Sequence, residues 1–268
     1  MRILRKGGEF TDSRLRRYGI RVIVVLIFGT LLLVASRYLQ SAHFNFLALA
    51  LFFVLFKAAY NRWESWFIGK RGELAVTEVL KSLPDDYVLL NDLTLPDRRG
   101  NIDHLLIGPN GLFVIETKNY SGNVKCIGDQ WFVNGRRIKS LSQQAKRNAM
   151  AVHKNLTRVF SERREKLPFI PALLVFVKHR SQLNLNQPTL PVLKAEQLVE
   201  FIRRYSSTNA VTPETTRAIV HRLQSFQGDT TEREHRVEKV AIVSRQNDTT
   251  AAVKTPAGRF DRLRILKS

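Results

Sequence analysis

Two uncharged apolar runs stand near the start of the chain, Val22 to Ser36 and Phe44 to Phe56, the second continuing past Lys57 through Ala58, Ala59 and Tyr60. A polar interruption from Arg37 to His43 separates them. Both runs are apolar on all sides, unlike an amphipathic surface helix. Each is shorter than the roughly 20 residues that span a bilayer comfortably, but flanking Arg and Lys snorkel and extend both. The pattern predicts a two-helix transmembrane hairpin over 22–60. A pair of buried helices in a soluble protein gives the same pattern and remains the competing arrangement. A cleaved signal peptide fits less well, because a second apolar run follows with no clear small-x-small site between them.

Beyond the hairpin the period changes. Leu74, Val76, Val79, Leu80 and Leu83 recur at helical spacing, and Pro84 ends that run, so a helix is expected over 69–83. Tyr87 to Leu90 reads as a strand, with Asn91-Asp92 and Pro96 to Gly100 as loop. Two apolar strands then flank the turn chemistry of Gly108-Pro109-Asn110-Gly111. Val124–Ile127 and Trp131–Val133 suggest a second hairpin, with Asn134-Gly135 as the next turn. Ser140 to Phe160 is a basic helix, Phe169 to Val177 a buried strand and Glu196 to Tyr205 another helix. From Gln227 the composition turns polar, as in a tail or a small β appendage. The expected organisation is therefore a basic N-terminus over 1–21, the hairpin over 22–60, a domain over 69–205, and a helix with a polar tail over 206–268.

Charge changes this picture in two ways. The net charge of +20 and pI of about 10.6 attract polyanions, either nucleic acid or an anionic membrane surface. Its distribution also sets topology. Arg2, Arg5, Lys6, Arg14, Arg16, Arg17 and Arg21 precede the first apolar run, Arg37 alone lies between the runs, and Arg62, Lys70 and Arg71 follow the second. The positive-inside rule then places the N-terminus and the main domain in the cytoplasm, on the inner (cytoplasmic) membrane. Trp63, Trp66 and Phe67 stand where an interfacial aromatic belt belongs. The single cysteine, Cys126, excludes a disulfide framework.

The candidate chemistry lies in the central hairpin. Folding it symmetrically about Pro109-Asn110 sets Asp103 opposite Glu116, and Lys118 shares the face of Glu116. Charged residues within apolar strands need pairing or a metal. Proline fixes φ near −65°, so a type I turn with a bulge at Gly111 is expected, and such a bulge would move Asp103 to the other face. If Asp103 and Glu116 converge, they offer hard oxygen ligands for Mg²⁺ or Mn²⁺, with the Thr117 carbonyl as a further donor. Lys118 would then orient a water or stabilise phosphate charge. A plain Lys118–carboxylate salt bridge is the alternative. Lys146, Arg147, Lys154 and Arg158 on the basic helix suit phosphate tracking, or simply a solvated face.

Gly72-Glu73 on a helix, Asn101-Ile-Asp103-His104, the run Gly111-Leu-Phe-Val-Ile-Glu116-Thr-Lys118-Asn119-Tyr120-Ser-Gly122, and Trp131 together resemble the nuclease-related domain (NERD) family of the PD-(D/E)XK nuclease-like superfamily. The resemblance runs from about Gly69 to Tyr205. It implies an α/β fold, an α/β/α sandwich with a mixed central sheet as in restriction endonucleases. It implies Asp103, Glu116 and Lys118 as the catalytic motif, Glu73 as the helical acid, and Gln144 as the Gln of a further helix. Ser140-Leu141 stands where the family has Asn-Pro, and Asn148 where a His is common. The expected function is a membrane-anchored, Mg²⁺-dependent nuclease acting on nucleic acid, DNA before RNA. The alternatives are a catalytically inactive, membrane-tethered nucleic-acid-binding or scaffold protein, and a domain held flat on anionic lipid.

Overall fold

The computed structural model describes residues 1–5, 9–38, 42–96, 100–207 and 209–226; the polar tail from Gln227 lies outside them. Strand β1 (Arg2–Arg5) precedes two long helices, α1 (Glu9–Tyr38) and α2 (Ala42–Leu80). There follow β2 (Val88–Thr94), β3 (Asn101–Gly108), β4 (Gly111–Lys118), β5 (Gly122–Ile127), β6 (Gln130–Val133) and β7 (Arg136–Ile138). Then come α3 (Leu141–Glu162), β8 (Ala172–Phe176), β9 (Ser181–Asn186), β10 (Val192–Lys194), α4 (Ala195–Arg204) and a last helix, α5 (213–226).

Six strands form a mixed sheet in the order β1-β2-β3-β4-β8-β10. The β2-β3-β4 pairings are antiparallel; those of β1 with β2, β4 with β8, and β8 with β10 are parallel. Side chains alternate between its faces. Leu89, Leu106, Phe113, Ile115, Leu173 and Val175 pack with Val76 and Leu80 of α2 and Leu198 and Ile202 of α4. Leu90, Leu105, Ile107, Leu112, Val114 and Leu174 pack with Val152 and Leu156 of α3 and Ile219 and Leu223 of α5. Helices thus cover both faces, which makes the domain the expected α/β/α sandwich. A second sheet, β7-β6-β5-β9, stands beside it.

The β3–β4 turn keeps the symmetric register, with Gly108 opposite Gly111 and His104 opposite Ile115. The expected bulge does not form. Gly111, at φ 136°, absorbs the reversal without an extra residue. The turn is also held from outside: Asn110 accepts from the Tyr87 hydroxyl (2.9 Å) and donates to the carbonyls of Ile202 (2.5 Å) and Tyr205 (3.1 Å).

Two further differences concern the chain before the domain. The basic N-terminus contributes β1, an edge strand whose Arg2 N–H donates to the Tyr87 carbonyl at 2.8 Å. The second apolar run and the expected 69–83 helix are one continuous helix of 39 residues, about 58 Å long. Both α1 and α2 are long and apolar enough to cross a membrane. They pack antiparallel: Gly29 lies against the Phe52 ring, where a Cβ would come within 2.1 Å of it, and Ser36 Oγ donates to Asn45 Oδ1 at 2.5 Å. Lys70 pairs with Asp12 at the domain end. Their outward side chains, among them Phe28, Leu31, Phe46, Leu47 and Val54, are more than half exposed.

Candidate active site

The alternation that buries Leu112 and Val114 under α3 carries Glu116 and Lys118 onto the same face at the end of β4. Glu116 is 1 % exposed. Its Oε1 accepts from Lys118 Nζ (2.6 Å) and Gln144 Nε2 (2.5 Å), and its Oε2 from Asn148 Nδ2 (2.7 Å). Lys118 Nζ also lies 3.4 Å from Gln144 Oε1. Asp103 reaches the cluster from β3, where its Oδ2 accepts from the Thr117 backbone N–H at 2.8 Å. Ser140 caps α3 by accepting from Gln143 N–H, which fixes where the helix starts and so where Gln144 and Asn148, one turn apart, point.

Glu73 arrives from the other side of the sheet, on the last turns of α2. Asn119 Nδ2 donates to the Ile68 carbonyl at 2.7 Å and docks that helix on the end of β4. The carboxylates crowd one another. Burial, then the charges of Asp92 and Glu116, pushes Glu73 up to about 7. Burial and then Glu116 lift Asp103 well above the usual carboxylate range. Burial alone would lower Lys118, but Glu116 and Asp103 outweigh it and hold the ammonium above its ordinary value. His104, next to Asp103 but on the opposite face, is pushed by burial down to about 3 and stays neutral. Its Nδ1 faces Asn91 Oδ1 (2.7 Å) and its Nε2 faces Thr117 Oγ1 (3.1 Å), which pins both strands at the site.

Three of these contributors were not picked out from the sequence as site residues. Asn148 is legible in hindsight as the position four after Gln144. Asp92 read as loop, whereas it lies within β2, buried at φ 53° with its Oδ1 accepting from Asn101 Nδ2 at 2.5 Å. His104 carried no signal beyond its place beside Asp103.

The basic helix divides by its geometry. At 100° per residue, Arg147, Lys154 and Arg158 flank the edge that carries Gln144 and Asn148, and all three are exposed. Lys146 points to the other edge, where it pairs with Asp129 at 3.2 Å. Arg158 pairs with Glu162 on the same helix at 2.7 Å.

Residues 68–177, which hold this cluster, match the family model of the nuclease-related domain. The chain carries a NERD domain. A stretch of 58 residues is 43% identical to an uncharacterized protein of Bacillus anthracis and covers 20% of this chain and 27% of that protein. The chain therefore spans well under two thirds of that relative. No solved structure matches.

The donor chemistry of the NERD site fits a hard divalent cation. Asp103 and Glu116 offer acceptor-only oxygens, and the raised proton affinity of Asp103 and Glu73 marks a place short of positive charge. Asn148 Oδ1, fully buried beside Glu116, has no hydrogen-bond partner. Among the described residues no three His, Cys, Asp or Glu side chains close around one point. Mg²⁺ suits such a half-built site, since it is commonly held by one or two carboxylates with waters and substrate phosphate.

Glu73 sets a pH dependence. Its folded value is raised above the ordinary 4.5, so the contribution of Glu73 to the stability of the metal-free protein is fully present below about pH 4.5 and is lost as pH rises through 7. The loss expected is about 2–4 kcal/mol. Glu73→Gln should flatten this slope in denaturant unfolding at pH 5 and pH 8. An unchanged slope would remove Glu73 from the charge cluster.

Proposed function

We propose that this chain is a membrane-anchored, divalent-metal-dependent nuclease that hydrolyses phosphodiester bonds, with DNA as the preferred substrate. The observation that carries the reading is the convergence of Asp103, Glu116 and Lys118 at the end of β4 inside a nuclease-related domain. Asp103 and Glu116, with the Thr117 carbonyl, would hold Mg²⁺ or Mn²⁺. Such an ion, when bound, lowers the pKa of water and neutralises charge building on the phosphate.

The chain's own residues supply the rest. Lys118, kept cationic by its carboxylate neighbours, stands as a point charge for the developing oxyanion. Gln144 and Asn148 hold Glu116 in one orientation, with both of its oxygens aimed. Glu73, with its value near neutrality, is a group able to take up or return a proton at working pH. Arg147, Lys154 and Arg158 on the adjacent edge of α3 would track the backbone phosphates, with Arg158 and Lys146 contributing less because Glu162 and Asp129 engage them.

Membrane anchoring rests on the hairpin. Its outward apolar side chains form a belt far larger than a soluble monomer leaves exposed. Because β1 pairs with β2 of the domain, both ends of the hairpin lie on one side, as an even number of crossings requires. The positive-inside rule makes that side the cytoplasm of an inner membrane.

A second reading is favoured by one observation: both Glu116 oxygens already have protein donors. That network would equally support a nucleic-acid tether without turnover. The test is incubation of the full chain in detergent with single-stranded DNA, duplex DNA and RNA, in Mg²⁺, Mn²⁺ or EDTA. Metal-dependent cleavage of DNA supports the nuclease; salt-sensitive binding with every substrate intact supports the tether.

A further inference from the structure

The second sheet, β7-β6-β5-β9, has one face buried and one turned to solvent. Alternation sends Val124 and Cys126 of β5 and Trp131 of β6 inward, where all three are fully buried. The Trp131 indole N–H donates to Ser142 Oγ at 2.6 Å and fastens the sheet to α3. The residues between them point outward. Lys125 is in register with Phe132 on one side and Asn184 on the other, and Phe132 with Arg137. Asn184, Lys125, Phe132 and Arg137 therefore form one row across all four strands, with neighbouring Cβ atoms about 4.5–5.5 Å apart. Ile127, diagonal to Phe132 on the same face, is 41 % exposed.

We propose that this outward face is a stacking platform for single-stranded nucleic acid, on which Phe132 receives an unpaired base. The proposal rests on the reading of this chain as one that acts on nucleic acid, and it names the substrate class. Shape and charge choose the occupant. A ring on an open sheet face meets base faces only where they are unpaired, since a duplex hides them in its stack. Phe132, half-buried, packs into neither of the hydrophobic clusters that flank the main sheet. Over residues 119–139 and 178–187, the sheet and its flanks, Lys125, Arg136, Arg137, Lys139, Lys178 and Arg180 stand against Asp129. Lys146 engages Asp129 at 3.2 Å. None of the six cations forms a salt bridge among the described residues. Phosphates would lie along these cations, while Asn184 and, in the next row, Gln130 offer amides to base edges.

The platform adjoins the carboxylate cluster. Val177 N–H donates to the Lys118 carbonyl (3.1 Å) and Ser181 Oγ to the Tyr120 carbonyl (2.7 Å). Strands β5 and β9 thus both set out from the end of β4 that carries Glu116 and Lys118. Lys125 follows Lys118 by seven residues, at most about 25 Å along the chain. A polar recess lined by Gln130, Arg137, Lys139 and Gln143 leads from the row to the first turn of α3, which carries Gln144.

The test is fluorescence anisotropy of the full chain in detergent with labelled oligothymidylate, oligouridylate and a DNA hairpin duplex, all in EDTA so that no strand is cut. The natural chain would be compared with Phe132→Ala, Phe132→Trp and the double variant Lys125→Gln, Arg137→Gln. Unpaired strands should bind more tightly than the duplex. Phe132→Ala should weaken them about tenfold and leave the duplex unchanged, and Phe132→Trp should restore them. The double variant should reduce the slope of log affinity against log salt by about 1.4, as expected for two phosphate contacts. Tighter binding of the thymidylate or of the uridylate tells DNA from RNA, and either supports the platform. A duplex bound as tightly as the unpaired strands, or Phe132→Ala binding them like the natural chain, would overturn the proposal. An equal loss on duplex and single strand would overturn it too, marking Phe132 as packing alone. Strands held through Phe132 but left intact in Mg²⁺ would instead remove the nuclease reading and leave the platform standing.

Discussion

Replacing Asp103 by Asn is expected to slow metal-dependent cleavage severely while making the metal-free protein more stable. The two effects share one cause. Asp103 is held above the usual carboxylate range by burial and by Glu116, so its charge is a liability until a cation arrives. Asn keeps an oxygen for the Thr117 backbone N–H, which the native side chain engages at 2.8 Å, and removes the charge. The fold should gain in the absence of metal, and the gain should grow as pH rises and the native carboxylate ionises. Cleavage should fall by roughly 10²–10³-fold, the usual effect of removing one group that stabilises transition-state charge. The assay is initial cleavage rate beside thermal unfolding in EDTA. A variant that cuts at the native rate would take Asp103 out of the chemistry; one that loses stability would mean its carboxylate is structural.

Glu116→Ala is expected to behave in the opposite way. Glu116 is the hub on which Lys118, Gln144 and Asn148 converge from β4 and α3. Deleting it leaves an ammonium 13 % exposed and two amide groups without their acceptor. Breaking a buried pair from one side costs about 3–5 kcal/mol, because the remaining charge stays desolvated. Glu116→Gln keeps an acceptor and should cost less. The double replacement Glu116→Leu, Lys118→Met removes both charges and should recover much of the loss, as buried pairs exchanged for apolar groups often do. Denaturant unfolding of the three variants checks this, and a double variant as unstable as Glu116→Ala would show that the carboxylate acts through the amides and not through Lys118.

The hairpin that carries this cluster is legible in the sequence because turn chemistry and alternation agree there. Its register was the uncertain part. Local rules for Pro109 favour a bulge, yet Asn110 is gripped by the end of α4 and by Tyr87, contacts distant in sequence. Similar long-range causes explain the other misses. Arg2–Arg5 has neither length nor turn signals, and becomes a strand because the edge of β2 is open to it. Asp92 reads as loop from its Asn-Asp pair, but it lies inside a strand at positive φ, where its side chain accepts from Asn101 on the neighbouring strand. The unbroken α2 was obscured by Arg62, Glu64, Lys70 and Arg71, which look like a linker although nothing there stops a helix. Gln144 was legible through the family pattern. Asn148 was visible only as a departure from that pattern, and its role as donor to Glu116 needed the helix in place.

The decisive measurement is Mn²⁺ binding by the full chain, followed through the free-ion electron paramagnetic resonance signal, with a non-hydrolysable phosphorothioate DNA present. The carboxylate cluster predicts bound Mn²⁺ in the natural chain and its loss in Asp103→Asn. Equal binding in both, or none in either, would contradict a metal-dependent nuclease at this site.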